Sequence, residues 1–187
     1  MKSLVRCKSC GFIMDAEKVE DVCPACGVPS KMFEAFTDNI SEKRKWILDR
    51  HLHPIVVHAP QALGAFLFLF SLCLTFIPWT LRGELFTTIK VMAFCLPFTL
   101  VAAILSGLLD AKVRFRRYTT PILKKKIVLG VVFFGCSLAM LFLTQAAREP
   151  EGLVYIAAMI GFNGLGFLSG VFLGIYGSSL LQARFPG

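Results

Sequence analysis

Beyond residue 53 the chain lacks the short-range mixing of apolar and polar positions that marks a water-soluble fold. It runs instead as four apolar stretches, 55–79, 91–109, 127–147 and 153–181, each with at least 19 residues free of Lys, Arg, Asp and Glu. About 20 helical residues cross the roughly 30 Å hydrocarbon core of a bilayer, whereas a soluble helix shows polar residues every three or four positions. The pattern predicts four membrane-spanning helices in a domain covering 54–187. Residues 1–36 read differently, as a small β module punctuated by Gly and Pro. Residues 37–53 form a basic amphipathic linker in which mixed charge surrounds Trp46, Ile47 and Leu48, suiting a short interfacial helix. The linker is short enough to keep the module near the membrane surface. The expected fold class is all-α and membrane-embedded, a four-helix bundle with a small N-terminal β module.

Composition sharpens this. The chain is 56% apolar and 17% charged, against about 45–50% and 25% in soluble domains, which excludes a disordered, collagenous or coiled-coil chain. The net charge of +8 is concentrated in residues 54–187, where eleven Lys/Arg face four Asp/Glu. Basic residues between apolar spans indicate membrane topology, and no nucleic-acid partner is expected. Lys43, Arg44, Lys45 and Arg50 precede the first span, Lys112, Arg114, Arg116, Arg117, Lys124, Lys125 and Lys126 follow the second, and Arg184 follows the fourth. The other side carries only Arg82, Lys90 and Arg148. By the positive-inside rule both termini are cytoplasmic, and contact with anionic lipid headgroups accounts for the basic loop. No stretch near Met1 resembles a signal peptide, because the first apolar run starts too late and is too long.

Cys73, Cys95 and Cys136 stand singly in apolar runs and read as packing residues. Cys7, Cys10, Cys23 and Cys26 form two CxxC pairs with twelve residues between the inner cysteines. Two such knuckles close a tetrahedral four-sulfur cage suited to zinc or a mononuclear iron. Disulfides are disfavoured on a cytoplasmic face, and metal binding supplies folding free energy that so short a module lacks. Gly follows each knuckle and lets backbone N–H groups turn toward sulfur.

The run CKSCGF, twelve intervening residues, then CPACGVPSKMFE resembles the short rubredoxin-like domain of rubrerythrins. Phe12, Pro29, Lys31 and Phe33 carry the match beside the cysteines. The resemblance implies Fe(Cys)4 cycling between ferrous and ferric states, with Cys7, Cys10, Cys23 and Cys26 as ligands. It implies an electron carrier or redox subunit more than a stand-alone enzyme. The Gly usual midway between the knuckles is replaced by MDAEKVED, and zinc ribbons share the CPxCG knuckle, so iron and zinc both stay open. The alternative function is a zinc-ribbon membrane protein whose structural metal serves partner recruitment.

All three histidines, His51, His53 and His58, lie in HLHPIVVHAPQAL. Pro60 should bend the first spanning helix. This run, with SGLLD ending at Asp110 and LSGVFLGIYGSSL in the last span, resembles a prokaryotic four-helix membrane family whose signature reads roughly HPxxVHFPIAL. The resemblance points to a prokaryotic cytoplasmic membrane. His53, His58 and Asp110 are the candidate quinone, haem or proton site, with Asp110 the expected partner of His58. His53 and His58 lie about 140° apart around a helix, so one chain cannot easily sandwich a haem between them. Haem b would need Met92, Met140 or Met159, or His58 from a second chain. Gly166, Gly170 and Gly174 share one face of the last span, which therefore packs tightly or pairs two chains. Asn163 in the same span needs a polar partner. Expected partners are lipid, a quinone or a redox protein, and a second copy of the chain.

Overall fold

The computed structural model describes residues 4–37, 41–116, 118, 120–150 and 152–182. Arg117 and Arg184, two of the basic residues used above for topology, lie outside them. The chain divides into two compact units, one through residue 42 and one from residue 43.

The first unit is a three-stranded antiparallel sheet in the order β2-β1-β3, formed by β1 (Leu4–Cys7), β2 (Ile13–Asp15) and β3 (Phe33–Phe36). The central strand pairs Arg6 with Ile13 on one side and Glu34 on the other. Register puts the Arg6 guanidinium on the Glu34 carboxylate, a cross-strand ion pair of the kind that stabilises small sheets by a few tenths of a kcal/mol. Short 3-10 turns at Ala16–Lys18 and Ser30–Met32 lead out of β2 and into β3.

The second unit is helical: α1 (Glu42–Leu48), α2 (Leu52–Val56), α3 (His58–Phe76), α4 (Trp79–Phe115), α5 (Pro121–Ala146) and α6 (Leu153–Gln182). Four helices are long and apolar enough to cross a membrane. Their outward faces carry Phe98, Leu105, Val131 and Phe142, each more than 60% exposed, which only hydrocarbon would leave unpenalised. The inward faces bury Leu67, Leu74, Phe86, Ile89, Met140 and Met159.

The apolar runs mark the hydrocarbon span rather than the helix ends. α4 covers 37 residues, about 56 Å at 1.5 Å per residue. Its ends extend past the run 91–109 because no proline lies between Pro78 and the start of that run, and the helix carries Gly83 and Pro97 within it. The expected loop before it shrinks to Ile77 and Pro78, both extended. Lys124, Lys125 and Lys126 lie in the first turns of α5, which starts at Pro121 behind a Thr120 hydroxyl that accepts from the Leu123 N–H. α2 and α3 separate at Val57, beside the Val56 carbonyl that a proline four residues on cannot bond.

Candidate metal centre

The two knuckles are built alike. Cys7 N–H donates to the Phe12 carbonyl and Cys23 N–H to the Val28 carbonyl, both at 2.8 Å. Gly11 and Gly27 N–H groups return to the Cys7 and Cys23 carbonyls, also at 2.8 Å. Both glycines adopt positive φ, 78° and 74°, a conformation that side chains resist. That turn aims the next N–H at sulfur: Phe12 N–H lies 3.5 Å from Cys10 Sγ. The first cysteine of each knuckle is buried and the second exposed, so Cys7 and Cys23 face inward while Cys10 and Cys26 reach the surface.

All four Sγ atoms lie within 4.8 Å of one another. Cys7 to Cys26 and Cys10 to Cys23 are each 3.8 Å. Tetrahedral coordination with thiolate bonds of about 2.3 Å separates the sulfurs by about 3.8 Å, so the donor set fits a four-coordinate ion. Backbone N–H groups of Cys10 and then, against the cost of burial, Ser9 bring the Cys7 thiol down to about 7. At Cys26 the Val28 N–H favours the thiolate, but the sulfurs of Cys10, Cys23 and Cys7 and desolvation outweigh it, and the thiol is pushed up to about 12. One thiolate forms readily, whereas crowding opposes further charge. A cation removes that conflict by binding all four sulfurs as thiolates.

Residues 6–34 match the family model for the rubrerythrin rubredoxin-like domain. The N-terminal module is a rubredoxin-like domain. No curated protein and no solved structure matches the chain. The match spans both knuckles and stops short of the helical unit, and its four clustered cysteines form a metal site. The MDAEKVED stretch, which lacks the usual Gly, is accommodated as the end of β2 and a 3-10 turn, both outside the knuckles.

In the helical unit the structure brings together His53 and SGLLD, two motifs far apart in sequence. His53 Nδ1 lies 3.1 Å from Ser106 Oγ. The Ser106 hydroxyl also lies 3.0 Å from the Ala103 carbonyl, which ties the pair to the α4 backbone. Gly107 lets the ring approach closely, since a Cβ there would lie 2.9 Å from His53 Cε1 and displace the imidazole. His58 is exposed and makes no hydrogen bond or ion pair among the described residues. Asp110 pairs with Arg114 one turn on, at 3.3 Å. The expected His58–Asp110 pair is therefore replaced by a His53–Ser106 bond and an Asp110–Arg114 pair. The first is a packing contact between α2 and α4, and the second is local helix geometry, because Arg114 sits four residues beyond Asp110.

Met140 and Met159, considered above as haem ligands, are buried in the apolar core, and Met92 packs against it. Asn163 finds its partner in Ser71, whose hydroxyl lies 2.7 Å from Nδ2. Sequence reading missed Arg44, which donates from Nε to the Val113 carbonyl and from Nη2 to the Arg114 carbonyl. The signal was available in principle: a helix C-terminus leaves carbonyls free and favours cations.

Proposed function

We propose that the protein is a membrane-tethered rubredoxin-like electron carrier. Its Fe(Cys)4 centre would lie on the cytoplasmic side of a prokaryotic membrane and exchange electrons with a membrane quinone or haem partner. The observation that carries this reading is the four-thiolate cage with backbone N–H groups directed at its sulfurs, an arrangement that tunes the potential of an iron–thiolate centre. Bound iron would supply a one-electron ferric/ferrous couple. Cys7 and Cys23 hold the buried side of the cage away from water. The exposed Cys10 and Cys26 offer a partner the shortest approach to the thiolates. The helical unit anchors the carrier beside its acceptor, raising their effective concentration.

Metal analysis and an optical spectrum of full-length protein in detergent test the reading. Stoichiometric iron with thiolate charge-transfer bands, red when oxidised and bleached by reductant, is the expected result. A colourless protein with stoichiometric zinc would replace electron transfer with the structural, partner-recruiting ribbon.

Orientation is the second expectation. Arg44 on the carbonyls at the end of α4 and Lys124–Lys126 at the start of α5 put basic side chains at one end of the bundle. Lys90 belongs to the other, where its ammonium donates to the Ala147 carbonyl at 2.9 Å. A reporter fused after Gly187 should therefore read cytoplasmic, and one inserted at Glu149 external. The reverse pattern would put the cysteines in an oxidising compartment and overturn the assignment.

A further inference from the structure

The helical unit contains a cleft of about 410 Å³ among α3, α5 and α6. This is within the roughly 300–1,000 Å³ of small-molecule sites. It extends along α6 from Ser178 to Phe167, about 16 Å of helix at 1.5 Å per residue. Phe167 supplies aromatic surface beside the buried edge of Phe133, and Gly174 keeps the α6 side open. The rim residues Val171 and Ile175 are 42% and 55% exposed, so the cleft opens sideways toward hydrocarbon. No charged side chain lines it.

Gln61 is its one carboxamide. Nε2 makes a single 3.4 Å contact with the Gly170 carbonyl, leaving one amide hydrogen and Oε1 for a ligand. Lys126 lies seven residues before Phe133, on the same face of α5, with its ammonium 3.8 Å from where a Gly177 Cβ would be. Asp110 and Arg114 from α4 also act on that ammonium, with opposite signs.

We propose that this cleft binds an isoprenoid quinone, its ring beside Gln61 and its chain along Phe167, Val171 and Ile175. A quinone carbonyl accepts from the Gln61 amide, and a quinol hydroxyl donates to Oε1, so one side chain serves both oxidation states. The apolar lining suits the isoprenoid chain. An anionic lipid headgroup would find no cation in the cleft, and at its rim an ammonium already within the field of Asp110. The proposal rests on the electron-transfer reading for the quinone's role, but the site lies in different residues from the His53, His58 and Asp110 cluster.

The test uses the full chain loaded with zinc, so that binding is read without redox chemistry. Decyl-ubiquinone binding in detergent is measured by equilibrium dialysis, with phosphatidylglycerol as competitor. Saturable binding is expected, weakened at least about tenfold by Gln61→Leu, the scale of a lost hydrogen bond to a buried group. Gly174→Leu fills the cleft and should have the same effect, since a Cβ there meets only the flexible Gln61 Nε2, at 3.4 Å. Phe98→Leu, on the 62%-exposed outer face of α4, should leave binding unchanged. A thermal midpoint equal to wild type certifies each variant as folded. Equal binding by folded Gly174→Leu and wild type, or displacement of the quinone by stoichiometric phosphatidylglycerol, would overturn the proposal. Quinone bound by the zinc form yet not reduced to quinol by two equivalents of the ferrous form would uphold the cleft and remove quinone as the electron acceptor.

Discussion

Cys7→Ser and Cys23→Ser abolish stoichiometric metal binding and unfold residues 4–36, while the four apolar helices still insert. Both cysteines are buried in the cage, so a hydroxyl in either place leaves three sulfurs around an incomplete site. The sheet cannot compensate. Its strands hold four, three and four residues, and all but Cys7 are at least partly exposed. Structural metal sites contribute about 10–16 kcal/mol of apparent binding free energy at neutral pH, far above what so small a core provides. Metal per chain and protease resistance of the first 36 residues are the readouts, with membrane fractionation reporting insertion. Acidification should release the metal as well, because protons compete for the same sulfurs. Cys26, whose thiol is pushed up to about 12, is strongly proton-loving without a cation. Full metal retention in both variants would remove the four-cysteine cage.

How much of this was legible in the sequence depended on range. The knuckles were fully legible, since spacing, the Gly after each pair and the resulting turn are local. Spanning segments were legible too, because a run of apolar residues must match bilayer thickness. Helix ends were not. Hydropathy falls at Lys90 and Asp110, but the backbone stays helical from Trp79 to Phe115 because side chains such as Lys90 and Arg114 find partners without breaking it. Pairings between helices were least legible. That Asn163 needed a partner was clear from its place in an apolar run, but Ser71 lies 92 residues away. Spacing put His53 and His58 on different faces of a helix, but only the packing of α2 against α4 shows that His53 is the one that meets Ser106 while His58 stays exposed. The stripe of glycines in α6 permitted either internal packing or a dimer. Phe133 answers for two of its members, since it packs against Gly166 and Gly170.

That same ring gives the last prediction: Phe133→Ala destabilises the bundle by about 3 kcal/mol, at the lower end of the range for buried Phe truncations. Phe133 is 3% exposed and wedged between two helices. A Cβ at Gly64 on α3 would lie 2.8 Å from its Cζ, and Cβ atoms at Gly166 and Gly170 on α6 would lie 3.2 and 3.4 Å from its ring. In hydrocarbon the transfer part of the cost is small, because lipid is as apolar as the core. Lost dispersion contacts and the cavity remain. Gly64→Val tests the wedge from the other side. The ring is held by α6 and cannot retreat, so overpacking should cost about 1–3 kcal/mol. Combining Gly64→Val with Phe133→Ala removes the clash and partly fills the cavity, so the double variant should be more stable than the sum of the two losses implies. Reversible unfolding in mixed micelles measures all three proteins. Additive losses, or a Gly64→Val variant as stable as wild type, would show that the Phe133 ring is not wedged between α3 and α6.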